Sequence, residues 1–218
     1  MTSPASSACR ICLIRHGETQ WNTERRLQGQ IDIELNRNGL AQAEAAARSL
    51  ERDRFSALYS SDLARAAQTA AAISRHHALP TRTDDRLRER HFGFFQGLTY
   101  DEAERRHPEF YKRFQARDTA LAFEESGESL DVFAARVRSV MDDIAHAHAG
   151  ATVLVVTHGG VLDVVYRLST GRPLQAPRDF RIPNAAFNWV EHQDGKWRLI
   201  TWADERHLGA ALDELPHP

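Results

Sequence analysis

The chain has 218 residues, of which 42% are hydrophobic and 27% charged, and its formal net charge at pH 7 is -2. This composition is typical of a globular protein with a sizeable core. The nearly balanced charge argues against a nucleic-acid binder, which needs a basic face to neutralise phosphates. The longest apolar run near the N-terminus has four residues, too few for a signal peptide or a membrane span. We therefore expect a cytoplasmic protein that binds no membrane.

Residues 1–8 are mostly small and polar, and they predict a disordered N-terminal tail because such residues bury too little surface to offset the entropy of ordering. No linker or internal repeat interrupts the rest of the chain. We therefore predict a single domain over residues 9–218.

Three short apolar runs, at residues 11–14, 57–59 and 153–156, predict strands that are covered on both faces. Cys9 and Cys12 lie on the first of them. An odd spacing along a strand sends two side chains to opposite faces, so we predict buried, reduced cysteines and no redox pair.

Helical patterns follow these strands at residues 40–52, 62–74, 99–115, 129–148 and 161–169. Asn36 is a candidate N-cap for the first helix, and Thr99 with Glu102 has the spacing of a capping box. Near the C-terminus, residues 187–191 and 197–202 flank Asp194 and Gly195, which predicts a β-hairpin. Strands that alternate with helices indicate an α/β fold with a mostly parallel sheet.

Chemically informative residues directly follow the predicted strands. The first strand runs into RHGETQWN, which supplies Arg15, His16 and Asn22, and the last runs into THGG, which supplies His158 and Gly159. Ligands of such sheets bind outside the carboxyl ends of the strands, so these segments are expected to meet at one edge. Helix N-termini and arginines favour an anion there, and we predict a phosphate site.

Two further residues complete this predicted site. Arg65 in SDLARAAQTA lies in the first turn of a predicted helix, and Glu89 lies in LRERHFGFFQG. A carboxylate beside a phosphate repels it unless the carboxyl carries a proton at some step, which suggests a general acid. Taken singly, each residue also has an ordinary explanation, such as a solvated arginine, a loop histidine or a surface ion pair.

Six sequence blocks resemble the signatures of the histidine phosphatase superfamily, in its phosphoglycerate mutase-like branch. In chain order they are RHGETQWN, RLQGQIDIELNRNGLAQA, SSDLARAAQTA, LRERHFGFFQG, SGESLDVFAARV and VTHGGV. The resemblance spans roughly residues 10–190. It implies a phosphoglycerate mutase-like, three-layer α/β/α sandwich around the sheet, a small-molecule phosphomonoester as substrate, and no metal or nucleotide cofactor.

The resemblance also implies a role for each matching residue. His16 would be the nucleophile, and Glu89 would donate the proton to the leaving alcohol. The phosphate oxygens would be held by Arg15, Arg65, His158, Asn22 and the backbone N–H of Gly159. The substrate mouth would be lined by Gln28, Gly29 and Arg90. Sequence does not tell which nitrogen of His16 attacks phosphorus.

Three functions stay open at this point, and we favour a phosphatase. A mutase, which would use 2,3-bisphosphoglycerate, needs a long, basic cover between acid and second histidine to keep water out. Here Glu89 and His158 are 69 positions apart, with one lysine between them. The interval still holds Arg105, Arg106, Lys112, Arg113 and Arg117, so an acidic substrate stays open.

The third function, an inactive phosphate-binding module, is disfavoured because the nucleophile and the acid are both present. The lid aromatics Phe92, Phe94, Phe95, Phe110, Tyr111 and Phe114 are interpreted as packing residues. A homo-oligomer is compatible with the sequence but not indicated by it.

Overall fold

The computed structural model describes residues 8–123 and 127–208. The predicted disordered tail lies almost wholly outside these residues. The strands are β1 (Cys9–Arg15), β2 (Ala57–Ser60), β3 (Thr81–Thr83), β4 (Thr152–Thr157), β5 (Phe187–Gln193) and β6 (Lys196–Asp204). The helices are α1 (Gln20–Thr23), α2 (Arg37–Ser49), α3 (Ala64–His77), α4 (Tyr100–Arg106), α5 (Pro108–Gln115), α6 (Leu130–Ala147) and α7 (Gly159–Thr170).

These strands form one mixed sheet in the order β3-β2-β4-β1-β5-β6. Strands β1 to β4 are parallel, whereas β5 runs antiparallel to β1 and β6. Helices α6 and α7 cover one face and α2 and α3 the other, each over its own buried cluster. The predicted α/β/α sandwich with a mostly parallel sheet is therefore confirmed.

The strand β1 explains how the sheet is buried on both sides. Cys9, Ile11 and Leu13 belong to the cluster beneath α6 and α7, and Cys12 and Ile14 belong to the opposite cluster. Alternate side chains of a strand point to opposite faces, so a continuous apolar run serves two cores. Both cysteines are buried and reduced, as predicted.

The predicted helix over residues 99–115 is wrong as a single element. It divides into α4 and α5 at His107, whose φ of -138° and ψ of 59° are not helical. Pro108 causes the break, because its ring disfavours helical geometry in the residue before it. The sequence analysis also missed β3, whose three polar residues carry no apolar pattern. The capping box at Thr99 and Glu102 and the N-cap at Asn36 form as predicted.

Within residues 8–123 and 127–208, no helix combines the length and apolar character that crossing a membrane requires.

Candidate active site

The two histidines of the His-Gly turns lie side by side at the carboxyl edge of the sheet. Arg15 pairs with Thr157 at the ends of the parallel strands β1 and β4, and the residue that follows each of these strands is a histidine. The ring centroids of His16 and His158 are 5.2 Å apart, and both side chains are buried. The strand register alone thus brings together residues that are 142 positions apart in sequence.

Hydrogen bonds fix the orientation of the His16 ring. Its Nδ1 lies 2.7 Å from the carbonyl oxygen of Gly17. A carbonyl only accepts, so Nδ1 carries the proton and the lone pair is on Nε2. The His16 backbone is held on both sides, because its N–H donates to Thr157 and its carbonyl accepts from Asn184 Nδ2 at 2.9 Å. The structure thus identifies Nε2 as the nitrogen available for attack.

Glycine at position 17 is explained by a close backbone approach. A Cβ at Gly17 would lie 2.4 Å from the carbonyl oxygen of Gly39, in the first turn of α2. A Cβ at Gly39 would lie 2.0 Å from the carbonyl oxygen of Glu18. Because the obstructing atoms are backbone, neither side chain can be accommodated without moving the loop that carries His16.

His158 is fully buried and has one ring nitrogen paired. Its Nε2 lies 2.8 Å from Ser61 Oγ, at the end of β2. Its Nδ1 has no hydrogen-bond partner among the described residues. A buried unpaired nitrogen is costly, so this atom is suited to an oxygen of a ligand. The sequence analysis did not identify Ser61 as a partner of His158.

The two arginines of the site are also buried. Arg65 donates to the carbonyls of Gly29 at 2.7 Å and Ile31 at 2.9 Å, whereas its buried Nε has no partner within the described ranges. Arg15 donates from Nη1 to the carbonyl of Ile182 at 2.8 Å. Burial lowers the pKa of Arg65 to about 10, which still leaves it charged at neutral pH. Carbonyl acceptors aim these guanidinium groups without neutralising them.

Both histidines are neutral at physiological pH. Burial is the main reason that the pKa of His16 lies well below its usual value, and the charges of Arg65 and Arg15 lower it further. Burial also has the largest effect on the pKa of His158, which it lowers well below the usual value, and the charge of Arg65 lowers this pKa further. A neutral imidazole retains the lone pair that a nucleophile needs.

These lowered pKa values predict that acid destabilises the fold. Below about pH 6.5 the unfolded chain binds protons at His16 and His158 that the folded chain does not. The free energy of unfolding should therefore decrease as the pH is lowered, by up to about 1.4 kcal/mol per pH unit for each histidine. Urea unfolding at several pH values between 5 and 8 measures this slope. In His16→Ala the slope should decrease by one histidine's share, and an unchanged slope would contradict the prediction.

Glu89 lines the same pocket and is held by two backbone N–H groups. Its Oε1 accepts from Arg90 at 2.8 Å and its Oε2 from Gly160 at 2.9 Å. A Cβ at Gly160 would lie 2.2 Å from Glu89 Oε1. The second glycine of THGG therefore makes room for the carboxyl, a role that the sequence analysis missed.

One pocket is lined by nine of the ten predicted site residues, namely Arg15, His16, Asn22, Gln28, Gly29, Arg65, Glu89, Arg90 and Gly159. His158, the tenth, is fully buried against the His16 ring. Asn22 uses its Oδ1 to close the capping box of α1. Gln28 is buried with no described partner for Oε1. Arg90 donates to the carbonyls of Glu128 and Leu121.

Four arginines that line the pocket were not predicted as site residues: Arg25, Arg26, Arg117 and Arg178. Of the five basic residues noted between Glu89 and His158, only Arg117 lines the pocket, where it forms a 2.6 Å ion pair with Asp163. No periodic signal marks these positions, because they lie in loops or at turn residues such as Arg117, with φ of 53°.

The lid aromatics form a packed cluster, as predicted. Phe95 is fully buried within it, and Phe123 joins it. Phe92 and Phe114 also line the pocket. Aromatic rings therefore line the pocket together with the arginines, and Arg90 lies over the Phe92 ring at 5.8 Å.

Within residues 8–123 and 127–208, no three His, Cys, Asp or Glu side chains are grouped as metal ligands. Neutral imidazoles and charged guanidinium groups around an anion site, on an α/β sandwich, define an enzyme of phosphoryl transfer.

The comparisons with known proteins agree with this class. Residues 11–205 match the histidine phosphatase superfamily (branch 1), and the chain belongs to that superfamily. The family inferred from the sequence blocks is thereby confirmed.

Three similar proteins span nearly the whole chain. Phosphoglycerate mutase-like protein 4 of Arabidopsis thaliana is 42% identical, over 91% of this chain and 86% of its own. The metal-independent phosphoserine phosphatase of the same plant is 41% identical, over 94% and 85%. The solved structure of Bacillus stearothermophilus YhfR aligns with a TM-score of 0.84 at 32% identity, over 91% and 98%.

Proposed function

We propose that this protein hydrolyses phosphomonoesters without a metal ion, through a phosphohistidine at His16. The orientation of His16 carries the proposal: Nδ1–H is tied to the Gly17 carbonyl, and Nε2 is left for phosphorus. The fold and the relatives support a phosphatase, and burial keeps the imidazole neutral.

In the first step, Nε2 of His16 attacks phosphorus while the bond to the leaving oxygen breaks. The electron pair stays on that oxygen, which takes the proton of the Glu89 carboxyl and departs as an alcohol. The charge on the transferring group is spread over three oxygens, which Arg15, Arg65 and Nδ1 of His158 would hold.

In the second step, water attacks the phosphohistidine. The Glu89 carboxylate takes a proton from this water, and the phosphorus–nitrogen bond breaks with its electron pair returning to Nε2. Inorganic phosphate leaves, and both residues regain their starting states. Asn22 and the Gly159 N–H would complete the set of donors, with Gln28, Gly29 and Arg90 toward the leaving group.

We expect turnover to be unaffected by EDTA. Two buried guanidinium groups supply the positive charge that a metal ion supplies in other phosphatases. Activity is measured before and after dialysis against EDTA, and again with added Mg²⁺ or Zn²⁺. A loss on dialysis that added metal restores would contradict the proposed mechanism.

The substrate is proposed to be a small, acidic phosphomonoester. Among the described residues, seven arginines and three carboxylates line the pocket, so this lining carries more positive than negative charge. Phosphoserine is the first candidate, since a relative is named a phosphoserine phosphatase.

A phosphoglycerate mutase is the second candidate function, because another relative is named mutase-like. One panel separates the two: phosphoserine and 3-phosphoglycerate, the latter with and without 2,3-bisphosphoglycerate, scored for free phosphate and for isomer. We expect free phosphate in each case. Isomer formation that depends on the bisphosphate would reverse the assignment.

A further inference from the structure

The segment that carries Glu89 is held in place by side chains. Residues 88–91 lie outside helices and strands, so their backbone carbonyls need other partners. Nη1 of Arg136 donates to the carbonyls of Arg86 at 2.7 Å and Arg88 at 3.0 Å, and its Nη2 donates to that of Glu89 at 3.4 Å. One guanidinium group from α6 thus binds two carbonyls of this segment and that of Arg86 just before it.

The same guanidinium group is fixed by Glu128. Arg136 donates from Nε and Nη2 to the two carboxylate oxygens of Glu128, both at 2.7 Å. The two side chains are only 19% and 15% exposed, so water competes weakly for this pair.

Glu128 extends the contact to the other side of Glu89. Its Oε2 accepts from the backbone N–H of His91 at 2.9 Å, its own N–H donates to the His91 carbonyl at 2.9 Å, and its carbonyl accepts from Arg90 Nε at 2.9 Å. Glu89 is therefore anchored before and after its own position by one ion pair.

We propose that Arg136, together with Glu128, is a positioning residue that acts on the reaction through Glu89. The proposal rests on the function proposed above, in which Glu89 donates the proton. Arg136 does not line the pocket, so it contacts no substrate in this arrangement. Its effect is to keep the carboxyl at hydrogen-bond reach of the leaving oxygen, where a small displacement costs much of the catalysis.

A guanidinium group is required for this role because the acceptors lie on two sides of it. Five N–H donors in a planar fork reach three carbonyls and a bidentate carboxylate together, whereas a lysine has three donors at one point. We therefore expect Arg136→Lys to preserve the positive charge at position 136 but to leave Glu89 poorly positioned.

The test compares two esters that differ in their need for an acid. Phenol is a poor leaving group, whereas 2,4-dinitrophenol departs without a proton. The phosphorylation rate is measured by release of the phenol under single-turnover conditions, with enzyme in excess. Arg136→Met and Arg136→Lys should lose about 10-fold or more with phenyl phosphate and less than about 3-fold with the dinitrophenyl ester.

Arg138→Met is the matched control. Arg138 lies on the same helix, is 60% exposed and pairs with Asp142 at 3.8 Å. It should leave both rates unchanged. Retained rates with the dinitrophenyl ester also show that the Arg136 variants are folded.

A double-mutant cycle identifies the route of the effect. In a Glu89→Gln background, Arg136→Met should cause no further loss with phenyl phosphate, because the group that it positions is already gone. An additional loss of the full size, or equal losses with both esters in the single variants, would overturn the proposal. If Glu89→Gln alone slows both esters equally, the fault lies with the assignment of Glu89 as acid, and this inference falls with it.

Discussion

Replacing His16 by alanine is expected to abolish the phosphoenzyme and to lower kcat/KM for phosphomonoesters by about 10⁴-fold or more. His158 is not expected to substitute, because its Nε2 is paired with Ser61 and its Nδ1, which would donate to a phosphate oxygen in the proposed mechanism, then has no lone pair for attack. Trapping with ³²P-labelled substrate, followed by an alkaline quench and detection of protein-bound label that is stable in base and lost in acid, measures the effect.

The design includes a control and a second readout. His146→Ala, an exposed histidine of α6, should retain wild-type label and rate. In the wild type, peptide mapping should place the phosphoryl group on His16, and chromatography of the phosphohistidine released by alkaline hydrolysis should identify the Nε2 isomer, since Nδ1 is bound to the Gly17 carbonyl. Undiminished label in His16→Ala would refute the nucleophile, and label on Nδ1 would refute the orientation.

The site is organised before substrate arrives, and this has a cost in stability. Arg65 is 1% exposed, and both histidines are held neutral in a buried position. Charges and unpaired nitrogens are unfavourable in the interior unless they find partners. The carbonyls of Gly29 and Ile31 are hydrogen-bond partners for part of the Arg65 guanidinium group, and a bound phosphate would be the partner for its remaining N–H. We infer that the same donors that destabilise the empty site stabilise the transferring phosphoryl group.

The sequence predicted the sheet and the convergence at its edge because both depend on short-range signals. Apolar runs mark β1 and β4, and the residue after each strand is a histidine. The parallel register then makes these histidines neighbours. The sequence analysis did not predict Arg117 and Arg178 as site residues, because they lie in loops and no periodic sequence pattern reveals the path of a loop.

Arg136 and Gly160 illustrate the second limit. Both lie in blocks that were recognised, SGESLDVFAARV and VTHGGV, yet each also binds the segment around Glu89, which belongs to another block. A helical pattern assigns Arg136 to the polar face of α6 and cannot tell a solvated arginine from one that binds backbone carbonyls. Three-dimensional contacts were needed to connect these blocks.

The second large effect is expected for Glu89→Gln. Glutamine keeps the shape and can still accept from the Gly160 N–H, but it has no acidic proton to give. The phosphorylation rate with phenyl phosphate should fall by about 10²- to 10⁴-fold. With 2,4-dinitrophenyl phosphate the same step should be nearly unaffected, because that leaving group needs no proton.

The same variant also reports on the second step. If Glu89 takes the proton of the attacking water, Glu89→Gln should release one equivalent of dinitrophenol rapidly and then turn over slowly, with phosphohistidine accumulating. Glu109→Gln, an exposed glutamate of α5, serves as the control and should show neither change. Equal loss of phosphorylation with both esters would remove Glu89 as the acid. A normal steady-state rate after the burst would instead show that Glu89 is not the base of the second step. In the proposed mechanism, the carboxyl that loses its proton in the first step regains it in the second.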